Sequence, residues 1–278
     1  MAASVGKRVA LVTGAGRRCG LGQAIARRLA RDGISIMLHD RGAVEGDIAP
    51  AHGVGTVSDL AAMCEELRGQ GASVDHVVGD LLDEAAISGV VRTTVERFGQ
   101  IDILVNNAGI GYLFGPLIEM TAEHLDAVLG VNLRALILAT RDAAAQMVRQ
   151  GKGGRIINIA SQAGKSGFAF ATAYTASKHG VVGFTRAAAL ELGPYGITVN
   201  AICPNHVTTG LGAWQNSFMA QARGQSVEDY LAEMRRRIPL GRVGTPEDTA
   251  EAAAFLCSEA ASYVTAEALN VSGGEEYH

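Results

Sequence analysis

Four cysteines in 278 residues (Cys19, Cys64, Cys203 and Cys257) share no pairing interval. That excludes a disulfide framework and a cysteine-built zinc site, and leaves reduced thiols in a cytoplasmic protein as the expectation. The seven histidines include no helical pair of metal-binding spacing, so no metal is expected. One-sided charge is missing too. With 24 basic and 28 acidic residues the formal net charge is −4, and no basic run offers itself to nucleic acid or a membrane surface. The apolar stretches near the start are too short for a signal-peptide core or a spanning helix. No repeat, low-complexity tract or linker divides the chain, so a single domain over 1–278 is expected.

What is present is an alternation. Hydrophobic residues make up 48% and charged residues 19%, enough to bury one large core. Short β-branched runs, "RVALVTGAG", "ISIMLHD", "VDHVVGD", "IDILVNNAG", "GRIINIAS", "ITVNAICP" and "EALNVSGG", read as strands. Between them lie helical patterns: "GQAIARRLARDG", then roughly 59–70, 83–98, 121–150, 173–193, 226–237 and 246–257. Strands separated by helices imply parallel pairing through right-handed crossovers, hence an α/β, doubly wound parallel sheet with ligands beyond the strands' carboxyl ends. Two segments break the rhythm. Residues 41–58 form an unusually long connection, and 205–240 read as a loop plus short helices carrying the only tryptophan, Trp214.

"TGAGRRCGLGQAIA" places Gly14, Gly16, Gly20, Leu21 and Gly22 between the first strand and its helix. Glycine permits positive φ and close approach of a diphosphate, and the helix start supplies open N–H groups. The spacing is not G-x-G-x-x-G, because Cys19 takes the last glycine position. Asp40, ending the second strand, stands where a carboxylate meets the adenosine ribose and repels a 2′-phosphate. NAD is therefore expected over NADP. Arg17, Arg18 and Arg41 read either as phosphate ligands for NADP or as solvent-exposed loop arginines.

With "NNAG" at 106–109, "GVNLRA" at 130–135, "INIAS" ending at Ser161, "YTASK" at 174–178 and the late "NVSGG", the sequence resembles the short-chain dehydrogenase/reductase family over nearly its whole length. The resemblance implies a Rossmann fold. It implies Ser161, Tyr174 and Lys178 as catalytic residues, joined by Asn132 through a bound, proton-relaying water. It also places Asp80 and Leu81 at the adenine, and Asn106, Ala108 and Gly109 along the cofactor. Pro204, Val207 and Thr209 would lie near the nicotinamide. Three features depart from the family pattern: five residues rather than three between Gly14 and Gly20, Pro204-Asn205 in place of Pro-Gly, and the long 41–58 segment.

The chemistry is readable from residue type. Positions i and i+4 of a helix share a face, so Tyr174 and Lys178 can enter one cleft. A free phenol has a pKa of about 10, and a fixed ammonium beside it favours the phenolate. A phenol so tuned takes the proton of an alcohol as hydride leaves, or donates one to a ketone. Ser161 at a strand end can hydrogen-bond the substrate oxygen.

Substrate contacts are expected from Ser161, Gln162, Tyr174 and Asn205, with Trp214 either a pocket wall or an anchor for a substrate-covering segment at 205–240. His206 is either a hydrogen-bonding partner or an ordinary loop histidine. The string "TTGLGAWQNSF…IPLGRVGTPED" resembles family members acting on sugars, polyols and small hydroxyketones. A homotetramer built on the long helices is implied by the same resemblance, with the ending "SGGEEYH" available for a subunit contact. The leading expectation is an NAD-dependent secondary-alcohol dehydrogenase. The alternatives are an NADP-dependent 3-oxoacyl ketoreductase and a catalytically silent dinucleotide-binding protein.

Overall fold

A computed structural model describes residues 7–42, 55–111 and 113–278. Seven strands form one sheet: β1 (Val9–Thr13), β2 (Ser35–Asp40), β3 (Val74–Val78), β4 (Ile103–Asn106), β5 (Gly154–Ile159), β6 (Ile197–Pro204) and β7 (Ala268–Val271). Their spatial order is β3-β2-β1-β4-β5-β6-β7, and every pair is parallel. Each expected strand is present. Because the order reverses between β1 and β4, the crossovers diverge there and leave a crevice at the carboxyl ends.

Nine α-helices occur among the described residues: α1 (Leu21–Arg31), α2 (Val57–Gly69), α3 (Glu84–Phe98), α4 (Ala122–Leu129), α5 (Ala135–Gln150), α6 (Thr172–Leu192), α7 (Gly210–Ala222), α8 (Val227–Arg237) and α9 (Pro246–Cys257). Alternate strand residues feed opposite cores, as the period of two requires. Val12, Ile36 and Leu38 pack with Ile25 and Leu29 of α1, Leu60 of α2 and Ala253 of α9. Leu11, Met37 and Leu104 pack on the other face with Val90 of α3, Met147 of α5 and Ala189 of α6.

The single helix expected at 121–150 is interrupted. Gly130–Arg134 form a π-helical turn between α4 and α5. The turn carries Asn132 inward, where its amide exchanges hydrogen bonds with the Ile110 backbone, accepting from N–H at 2.8 Å and donating to C=O at 2.9 Å. A helical period extrapolated from sequence does not contain that local exchange. The segment at 205–240 is more helical than a loop, since α7 and α8 account for most of it.

Candidate active site

The glycine turn is shaped by contact as much as by torsion. Gly14 has φ +67°, and a Cβ there would stand 2.6 Å from the Ala108 Cα. At Gly22 a Cβ would meet the Gly14 carbonyl oxygen at 2.6 Å, so this glycine lets α1 pack directly on the turn. Cys19, where the usual pattern has glycine, is held at φ 54°. The start of α1 at Gly20 has no side-chain cap, which leaves its first N–H groups facing the cleft.

One cleft of about 610 Å3 runs across the carboxyl ends. At one end lie Gly14, Gly20, Leu21, Asp40, Asp80 and Leu81, and at the other Ser161, Tyr174, Lys178, Pro204, Val207 and Thr209, with Ala108 and Gly109 between. The Asp40 carboxylate accepts from the Gly16 N–H at 2.7 Å and the Arg41 N–H at 2.8 Å. It is thereby fixed against the turn. Arg17 and Arg41 line the same end, whereas Arg18 pairs with Asp59 at 2.7 Å. Gly55 also lines it, and a Cβ on Gly55 would sit 2.5 Å from the Gly16 carbonyl carbon, so the 41–58 connection returns onto the turn. Most of that connection, residues 43–54, lies outside the described residues.

At the reacting end, Ser161 follows β5 and Tyr174 and Lys178 stand one turn apart on α6. The Ser161 hydroxyl accepts from the Ala163 N–H at 3.1 Å and acts on the Tyr174 phenol, where it opposes the rise in pKa. The Lys178 ammonium donates to the Ile159 carbonyl at 2.8 Å and lies 5.6 Å from the Tyr174 ring centroid. Burial dominates both groups. It raises the phenol's pKa above its ordinary value, with the Ser161 hydrogen bond opposing, and it lowers that of Lys178 to about 8. The expected lowering of the phenol's pKa by Lys178 is thus corrected: desolvation by the surrounding segments wins, and Tyr174 is a protonated phenol at neutral pH.

Several expected residues lie behind the cleft. Asn106 is buried and donates to Thr140 and Asn158, each at 2.9 Å, so it ties β4 to α5 and β5. Its neighbour Asn107 lines the cleft instead, and donates to the carbonyls of Thr13 and Gly14 at 2.9 Å each. Gly16 and Gly22 act in the turn's packing, outside the lining. Both Asn132 amide hydrogens are used, on Ile110 and on Ser177, whose hydroxyl in turn donates to the Tyr174 carbonyl at 2.7 Å. Its side chain therefore fixes the start of α6 and keeps only a spare acceptor lone pair for a water.

Trp214 is also off the lining. Its ring stacks on Phe218 (5.6 Å, 22°) and meets Phe114 edge-on at 5.8 Å. Of its two expected roles, anchoring fits this position. Phe114 forms the wall and lies 6.1 Å from the Tyr174 ring. Gln162, Asn205 and His206 line the cleft as expected, together with Arg223, Tyr230 and Arg237, which sequence reasoning missed. No group of metal-binding residues occurs among the described residues.

A family model described as "Enoyl-(Acyl carrier protein) reductase" matches residues 14–276. A short-chain dehydrogenase/reductase of Armillaria gallica is 40% identical over 96% of this chain and 95% of its own. The chain is a short-chain dehydrogenase/reductase. This oxidoreductase acts on CH–OH groups and binds a nicotinamide dinucleotide, and the uncapped helix start and glycine cradle fit such a ligand. Among solved structures, an actinorhodin polyketide ketoreductase variant with NADPH is 38% identical, with a TM-score of 0.88 and 98% of each chain covered. An NAD+-bound xylitol dehydrogenase is 31% identical, with a TM-score of 0.87, covering 98% of this dehydrogenase and 100% of that chain. No described helix of the dehydrogenase is long and apolar enough to cross a membrane.

Proposed function

We propose that this enzyme interconverts a ketone and a secondary alcohol, with Tyr174 moving the proton at the substrate oxygen. The observation that carries this reading is the meeting of Ser161, Tyr174 and Lys178 in one cleft with the glycine turn. The dinucleotide, when bound, supplies or accepts the hydride. Tyr174 as the neutral phenol donates to the oxygen of a ketone as charge builds there, and Ser161 donates a second hydrogen bond to the same atom. Lys178, anchored on Ile159, holds positive charge beside the phenol and offsets the phenolate left behind. Asn132 acts at a distance by holding the start of α6. The segment at 205–240 covers the substrate, and Trp214 anchors it.

NAD is the proposed cofactor because Asp40 is fixed beside the turn, where it accepts hydrogen bonds from ribose hydroxyls and repels a 2′-phosphate. A second reading, NADPH-dependent ketone reduction, is favoured by Arg17 and Arg41 at the same end. Following absorbance at 340 nm with small diketones and hydroxyketones separates them. A kcat/KM at least tenfold higher with NADH supports the first; equal or reversed values overturn the cofactor assignment. Silence with both cofactors over a broad ketone and polyol panel overturns the enzyme reading.

We also propose a homotetramer in the cytoplasm. Exposed Leu117, Ile118 and Leu190 supply apolar surface for subunit contact, and the four thiols are unpaired. The tail is engaged within its own chain, through Glu276 to Ser166 and the His278 carbonyl to Lys165. A monomer by light scattering contradicts the assembly.

A further inference from the structure

One face of α7 is a ruler. Leu211, Gln215, Met219 and Arg223 are spaced four apart, so they fall in one row, and all four line the cleft. The near end of the row is fixed at the reacting ring. A Cβ on Gly111 would lie 3.1 Å from the Tyr174 ring and 3.0 Å from the Gln215 amide, which donates to the Gly111 carbonyl at 2.9 Å. The far end is Arg223, eight residues on, or about 12 Å along the helix axis.

At that far end the cleft is walled by hydrogen-bond donors. Arg237 at the end of α8 and the Tyr230 side chain join Arg223, whose guanidinium lies 5.3 Å from the Tyr230 ring centroid. The carboxylates that accompany these arginines stand behind the wall. Glu233 is 3.3 Å from Arg223 and 3.8 Å from Arg237, and Glu275 is 3.1 Å from Arg237, yet neither glutamate lines the cleft. Among the described residues the acidic ones that do line it, Asp40 and Asp80, belong to the opposite end. Each guanidinium carries five N–H donors in a planar fork, more than its glutamate partners consume. His206, also in the wall, is kept neutral by burial, its pKa lowered to about 4, so the positive charge there is that of the arginines. Leu211 and Phe114 make the reacting end apolar, and Met219 continues that character toward Arg223. A small polyol leaves that apolar stretch unmatched.

We propose that Arg223 and Arg237 form an oxyanion subsite, and that the substrate is an elongated, largely apolar ketone or alcohol bearing a carboxylate or phosphate about 12 Å from its reacting carbon. This deepens the proposed function and rests on its placing of the carbonyl at Tyr174.

The test is binding without turnover. Trp214 fluorescence is titrated in wild-type protein, with no reductant supplied, against 4′-acetylbiphenyl-4-carboxylate, its methyl ester, the corresponding aryl phosphate, and the shorter 4-acetylbenzoate. The long oxyanions are expected to bind roughly tenfold more tightly than the ester, and the short acid is expected to gain nothing. Whichever long oxyanion binds better identifies the group. In Arg223→Gln and Arg237→Gln the ratio of acid to ester affinity is expected to fall toward one. Equal wild-type affinity for acid and ester, the same advantage for the short acid, or an undiminished ratio in both variants overturns the proposal. Should the acid preference hold while none of these ketones is reduced with either cofactor, the subsite stands and the reductase reading fails.

Discussion

α1 and α7 flank the same cleft and are built in opposite ways. Six of the 11 residues of α1 are buried, and its first turn packs on the backbone of the glycine loop. In α7 one of 13 residues, Ala220, is buried, and the helix rests on rings contributed by Phe114, Trp214 and Phe218. The floor of the site is therefore backbone geometry locked into the main core. The cover is a side-chain assembly on a small satellite core of Ala220, Tyr230 and Met234. Damage to the floor's backbone packing should cost folding and chemistry together, loss of a single reacting atom on it should cost chemistry alone, and damage to the cover should cost substrate affinity alone.

The largest effect should come from the floor's reacting group. Tyr174→Phe removes the donor while keeping the ring, and kcat should fall by about 10^2–10^4-fold with the melting temperature little changed. Retained turnover would refute the assignment. Next is the cost of holding Lys178. Its pKa is lowered from 10.5 to about 8, so between those values the unfolded chain binds more protons than the folded one. This group's penalty is complete below pH 8 and fades as pH rises toward 10.5, and it amounts to about 3 kcal/mol. Lys178→Met should therefore lose activity and flatten the rise in stability across that window, measured by denaturant unfolding against pH. An unchanged pH slope would show that the ammonium is better solvated than its surroundings allow.

Gly22→Ala should destabilise by about 2 kcal/mol or more, because its methyl meets backbone atoms that cannot move without shifting β1 or α1. The smallest effect belongs to the cover. Trp214→Ala should leave overall unfolding within about 1 kcal/mol and raise KM several-fold with kcat little altered. If Trp214→Ala instead unfolds the protein as Gly22→Ala does, the division into floor and cover is wrong.

The same contrast explains how much of the molecule was legible in its sequence. Strand periodicity and the glycine turn are local, so all seven strands, the crossovers and the cleft end at Gly14 and Asp40 could be read directly. Ser161, Tyr174 and Lys178 converge as their family motifs implied. Orientation was not legible. Asn106 and Asn107 are chemically identical neighbours on opposite faces of β4's end, and only the pleat sends the first into the core and the second to the turn. The phenol's raised pKa depends on desolvation by segments distant in sequence, which a Tyr-x-x-x-Lys spacing does not encode. Arg223, Arg237 and Glu275 meet only after α7, α8 and the tail have packed. The row from Leu211 to Arg223 was visible at intervals of four, but nothing local marked that face as the one turned to the cleft.

The central claim is that the cleft holds Tyr174 as a proton donor at neutral pH. Ultraviolet titration of the ligand-free protein, with the Tyr174→Phe curve subtracted, isolates this one phenol among six tyrosines. It should ionise above pH 10, the ordinary phenol value, because burial outweighs the hydrogen bond from Ser161. Ionisation near neutrality would show that the Lys178 charge overrides burial even in the empty cleft, and would contradict the account.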